Sequence, residues 1–199
     1  MRLLNVVAIA TISTLATGVL AQSTQRIRGD IISVEGPTLE VRTRTGGMAS
    51  VTLADQYKVS AVVKTNADAI VPGAYVGTAS MPQADGSARA LEVLVFPESG
   101  RASGEGHYPW DLKPGSMMTN ATVAQVANVE NGRRITLKYK DGEKTIDVPP
   151  DAPIVTFEPG SREMLRPGAH VMLNARIGPD GSLSATGVVV GKDGLVPPM

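Results

Sequence analysis

The chain has 199 residues, 19 basic and 19 acidic side chains, and no cysteine. Balanced charge, with one Trp, four Tyr and two Phe in all, argues against the basic, aromatic-lined surface of a nucleic-acid binder. The absence of cysteine excludes a disulfide scaffold, a thiolate metal site and a cysteine nucleophile.

Residues 1–21 read as a signal peptide. Arg2 supplies a positive start, Leu3 to Leu15 form an apolar core dotted with Thr and Ser, and Gly18-Val19-Leu20-Ala21 offers slim residues before a cut after Ala21. The apolar run is short for a span of roughly 20 residues, and no later segment approaches that length. The expectation is a mature chain without a transmembrane segment, exported to the periplasm.

From residue 22 onward, abundant Gly and Pro separate short alternating runs of Val, Ile, Leu and Ala, the pattern of an all-β chain with tight turns. Strands are predicted at 26–34, 38–44 and 49–53, followed by an irregular piece with a helical turn near Asn66 to Ile70. Strands at 74–81 and 88–96 complete this unit. The order then returns, with strands at 122–130, 134–139 and 144–148. A helical turn follows, capped by Ser161 and running to Leu165, and then strands at 169–176 and 183–190.

The two series match at a spacing of 95 residues. Pro72-Gly73-Ala74 recurs as Pro167-Gly168-Ala169, Asp85-Gly86-Ser87 as Asp180-Gly181-Ser182, and Val93 and Val95 as Val188 and Val190. Val34-Glu35 answers Val129-Glu130. One insertion near residues 132–133 then aligns Leu39 and Val41 with Ile135 and Leu137. A repeat of this kind defines the architectural unit. Five strands with a short helical turn between the third and fourth suggest an OB-like barrel. Two tandem small five-stranded barrels are therefore expected, at 22–97 and 119–199, packed against each other.

The segment 98–118 has no counterpart. Its Gly-rich start is a loop by composition, but it then gathers His107, Tyr108, Trp110, Asp111, Met117 and Met118. Tyr108, Trp110, Asp111 and Met117 are candidates for contact with a ligand or partner. The competing expectation is that Trp110, Leu112, Met117 and Met118 plug the seam between the barrels, since large apolar side chains are costly to expose. Glu105, His107 and Asp111 form a possible metal set of one imidazole and two carboxylates. Their spacing matches no strong metal motif.

Three strand-and-turn patterns carry a family resemblance: Gly29-Asp30-Ile31-Ile32-Ser33-Val34, the paired segments Val71-Pro72-Gly73-Ala74-Tyr75-Val76 and Leu165-Arg166-Pro167-Gly168-Ala169-His170-Val171, and Asp180-Gly181-Ser182-Leu183-Ser184-Ala185. On these the chain resembles exported bacterial tandem OB-like β-barrel proteins of a domain-of-unknown-function family. Some relatives are labelled metal transport permeases, a label that the lack of spanning segments does not support. The resemblance implies strands and turns and assigns no chemistry.

Neither Gly-x-Ser-x-Gly nor Ser-x-x-Lys occurs, so no nucleophile is marked for catalysis. The expectation is a non-catalytic binding or scaffold protein without a cofactor, acting on an envelope protein or glycan. The alternatives are a periplasmic accessory in metal handling and an unrecognised envelope hydrolase.

Overall fold

The structure, a computed structural model, describes residues 23–199. The predicted leader, 1–21, lies outside the described residues. The rest is all-β. In chain order the strands are β1 (Thr24–Glu35), β2 (Thr38–Thr43), β3 (Met48–Lys64), β4 (Tyr75–Pro82), β5 (Ala88–Ala90), β6 (Val93–Val95) and β7 (Gly106–Pro109). They continue with β8 (Met117–Val129), β9 (Gly132–Tyr139), β10 (Gly142–Val148), β11 (Ile154–Pro159), β12 (His170–Ile177) and β13 (Leu183–Gly191). The two expected helical turns are single 3-10 turns at Ala67–Ala69 and Arg162–Met164. The Asn66 side chain caps the first by accepting from the Asp68 amide, whereas Ser161 makes no side-chain cap at the second. Among the described residues no helix is long and apolar enough to cross a membrane.

The strands close five-membered rings, but the rings are not made of contiguous chain. β1, β2 and β3 pair in succession, β3 pairs in parallel with β13, β13 with β12, and β12 returns antiparallel to β1. The second ring runs β8, β9, β10, then β5 in parallel, then β4, which returns antiparallel to β8. Barrels at 22–97 and 119–199 would require β1–β3 to close with β4–β6. Instead, each ring takes its first three strands from one half of the chain and its last two from the other. The two expected boundaries therefore separate strand partners.

The connectors impose this exchange. Residues 54–71, expected to be irregular, instead carry β3 straight on to Lys64. The run Tyr57-Lys58-Val59-Ser60-Ala61 alternates as a strand does. At about 3.3 Å per residue, 17 residues of β3 span more than 50 Å, too far for a chain folding back over its own small ring. The turn after β3 delivers Ile70, 1 % exposed, into the other ring's core.

In the later half the same path is broken by Pro149, Pro150 and Pro153, which cannot donate to a ladder, so it appears as β10 and β11. β11 crosses β3 antiparallel, pairing Phe157 with Val62, 95 positions earlier, and Val155 with Lys64 and Pro159 with Ser60 on either side. A local two-fold axis thus passes through the crossing. The flanking parallel pairs obey it: Val188 lies opposite Val59, and Ile154 opposite Val93.

Each core draws on both halves. Ile27, Ile31, Leu39, Val41 and Val51 meet Val171, Leu173, Val188 and Val190 in one, and Val76, Ala88 and Val93 meet Val123, Ile135, Leu137 and Ile146 in the other. Val62, Leu94, Val155, Met172 and Met199 fill the seam.

One sequence alignment is corrected by register. Val34 faces Leu39 as Val126 faces Ile135, so Val34 corresponds to Val126 rather than to Val129. The β8–β9 hairpin is four residues longer than β1–β2.

Candidate functional site

The segment between the rings forms a strap with two differently anchored ends. One end is a strand. β7 pairs with the start of β8, His107 opposite Thr119 and Tyr108 opposite Met118. The polypeptide then turns at Trp110 to Ser116. The turn is closed by the Trp110 amide donating to the Ser116 carbonyl at 2.8 Å and by the buried Ser116 hydroxyl donating to the Lys113 carbonyl at 2.7 Å. Gly115 adopts φ +76°, a conformation that suits glycine and lets the chain reverse.

The turn lays Trp110 and Asp111 on β1 of the other ring. Alternation along β1 sends Ile27 inward and Arg26 and Arg28 to the outer face. The Arg26 guanidinium lies 3.6 Å from the centre of the indole, within cation–π range, and Tyr108 packs edge-on to the indole at 6.1 Å. Asp111 Oδ1 accepts from Arg26 Nη1 at 2.5 Å and from Arg28 Nη2 at 2.8 Å, and Oδ2 accepts from Arg28 Nη1 at 3.1 Å. The hydrogen bonds from Arg28, with the charges of both arginines, hold the Asp111 carboxyl down at about 2, against partial burial that pushes it up.

Two clefts flank this contact. One, of about 360 Å³, lies between β1, the β2–β3 turn and the strap, lined by Arg26, Arg28, Thr43, Arg44, Thr45 and Asp111 among others. The other, of about 410 Å³, lies beside Tyr108, Trp110, Thr24 and Asn174. Arg28 Nε also donates to the main-chain oxygen of Met199 at 2.8 Å, and Arg44 Nη2 donates to the Pro197 carbonyl at 2.7 Å. Partial burial and then the charge of Arg28 lower the pKa of Arg44, although the residue remains open to solvent at the mouth of the cleft. At the seam, the indole N–H of Trp110 and Nε of Arg26 are buried with no acceptor among the described residues.

The expected site residues separate. Tyr108, Trp110 and Asp111 come together. Met117 lies in β8 between Ser80 and Pro109 and lines neither cleft. Of the residues expected to plug the seam, Trp110 lies on Arg26 of the other ring, a charged rather than an apolar surface, whereas Met117 and Met118 sit in β8, opposite Pro109 and Tyr108 of the strap's own strand. Glu105, His107 and Asp111 do not converge. The carboxylate of Glu105 accepts from the Lys140 amide at 2.9 Å, His107 Nδ1 bonds Thr119 Oγ1 at 2.9 Å, and Asp111 holds the arginines. Among the described residues no three His, Cys, Asp or Glu side chains cluster to hold a metal. His170 binds Asp30 at 2.6 Å on β1.

Sequence reasoning missed Arg26, Arg28 and Arg44. A signal was present, since Arg26 and Arg28 stand two apart on a predicted strand and so share a face. Their structural counterparts, Met118 and Asn120, carry no charge.

The fold and site define an all-β protein with a closed five-stranded barrel. Compared with known protein families, curated proteins and solved structures, the chain shows no match.

Proposed function

We propose that this chain is a non-catalytic exported binding or scaffold protein. Its OB-type barrels present the strap surface of Tyr108, Trp110, Asp111 and Arg26 to an envelope protein or glycan. The ring order first, second, third, fifth, fourth supports the OB assignment, and barrels of that type host many ligand classes on grafted surfaces.

The observation that carries the binding reading is the Tyr108–Trp110 pair, half-buried and lining the second cleft. The indole and phenol rings offer flat faces at the cleft to a sugar ring or a partner side chain. The metal reading has less support, because each of its three side chains is already engaged elsewhere.

Crosslinking and capture from the native envelope tests the proposal. Wild-type protein should retain a specific partner, and Trp110→Ala should lose it while melting as a folded protein. Equal capture by both would remove the strap from consideration.

A further inference from the structure

The cleft beside the strap has an uneven charge balance. Arg26, Arg28 and Arg44 line it, and Asp111 is the one carboxylate among its lining residues. Asp111 is spent on Arg26 and Arg28. Arg44 faces the same space from the β2–β3 turn, and its side-chain acceptor among the described residues is a neutral carbonyl, that of Pro197. Among the side chains that line the cleft, three guanidiniums face one carboxylate, so the lining is net positive.

Hydroxyl donors complete the rim. Thr43 Oγ1 and Thr45 Oγ1 lie 3.0 Å apart, and Thr43 Oγ1 accepts from the Gly47 amide. Two hydroxyls sharing one hydrogen bond leave the second proton available to another acceptor.

From this lining we infer that the cleft seats a phosphate group, as the anionic part of the ligand recognised by the strap surface. The inference rests on the strap being the binding surface. A phosphate, with more acceptor oxygens than a carboxylate, can engage Arg44 and the threonine hydroxyls together. Planar guanidiniums also match phosphate oxygens in charge-assisted pairs. The group can come as free phosphate or as a phosphate ester on a sugar, and Trp110 and Tyr108 next to the cleft provide flat faces for the sugar.

The test is calorimetric titration of the whole mature protein, at low salt, with inorganic phosphate, a hexose phosphate and the same hexose without phosphate, followed in parallel by the fluorescence of the single Trp110. Phosphate-bearing probes should bind and the bare hexose should not. Arg44→Gln, a change at the open mouth of the cleft, should weaken binding about tenfold or more. An ester that binds tighter than inorganic phosphate identifies a sugar phosphate, and the reverse order identifies the free ion. No binding at about 10 mM ligand, or equal binding by Arg44→Gln, overturns the inference. The two claims fail separately. Trp110-dependent capture without phosphate binding sinks the phosphate site alone, and phosphate binding with Trp110-independent capture sinks the strap reading alone.

Discussion

The two rings share one set of pairings and differ in what has been placed on their walls. In the first, position 187 is a glycine on an unbroken β13. In the second, the residue 95 positions earlier is Glu92, wholly buried where β5 gives way to β6. The outer face of β1 carries Arg26 and Arg28, whereas the matching positions on β8 are Met118 and Asn120. The scaffold is symmetric and the chemistry is not. The strap lies where the two walls differ, paired as a strand to β8 and held by ions to β1.

The largest predicted effects test whether the shared pairings make one folding unit. Leu39 and Leu137 are fully buried in different cores. Leu39→Ala and Leu137→Ala should each destabilise by about 2–5 kcal/mol, through lost transfer energy and the cavity left behind. Because every ring contains strands from both halves, both changes should lower one cooperative urea transition with an unchanged slope. Two separate transitions, each sensitive to only one change, would show that the rings are independent and the crossing weak.

Glu92 breaks the symmetry in a second way, readable by pH. Its Oε1 accepts from the Ala79 amide at 2.8 Å, and its Oε2 has no partner among the described residues. Burial drives the carboxyl up from its ordinary 4.5 to about 8. The folded protein therefore holds a proton that the unfolded chain releases above 4.5. The resulting stability is fully present below pH 4.5 and is lost as pH rises through about 8. The loss is on the order of a few kcal/mol. Thermal melts across that window should slope downward in wild type, and Glu92→Gln should flatten them. A wild-type profile already flat from pH 5 to 8 would mean that the carboxyl is ionised and solvated.

The contrast between scaffold and wall also explains what the sequence disclosed. Strands and turns were legible because Ile27, Ile31, Leu39 and Val41 alternate with polar residues, and because Asp85-Gly86 and Asp180-Gly181 mark hairpins. The exchange between halves was not. Register is specified by hydrophobic pattern, and when two copies carry the same pattern, β12 and β4 present nearly the same edge to β1. Only the connector decides, and the strand-like run from Tyr57 to Ala61 is masked by Asp55 and Gln56 before it and Lys58 within it. At the site, Trp110 was found because it is unique. Arg44 was not, since its place depends on a turn that brings residue 44 beside residue 28. Glu92 looked like an ordinary charged strand residue, and nothing local announced its burial.

The smallest effect separates the two ends of the strap. On the β8 side the strap is held by main-chain pairing, which salt barely touches. On the β1 side it is held by Asp111 between Arg26 and Arg28, with half of the Asp111 side chain open to solvent, so screening should weaken it. Asp111→Asn leaves the two arginines without their counter-ion and should cost about 1 kcal/mol or less, as exposed ion pairs do. The sign with pH is opposite to that of Glu92. The contribution of Asp111 is present above its ordinary 3.8 and is lost as pH falls through about 2. Salt should therefore shift Trp110 fluorescence in wild type and leave it unmoved in Asp111→Asn, while hydrogen exchange in the β7–β8 ladder stays constant in both. If salt instead released the β7–β8 amides, the strap would be anchored through Asp111, with its strand pairing following.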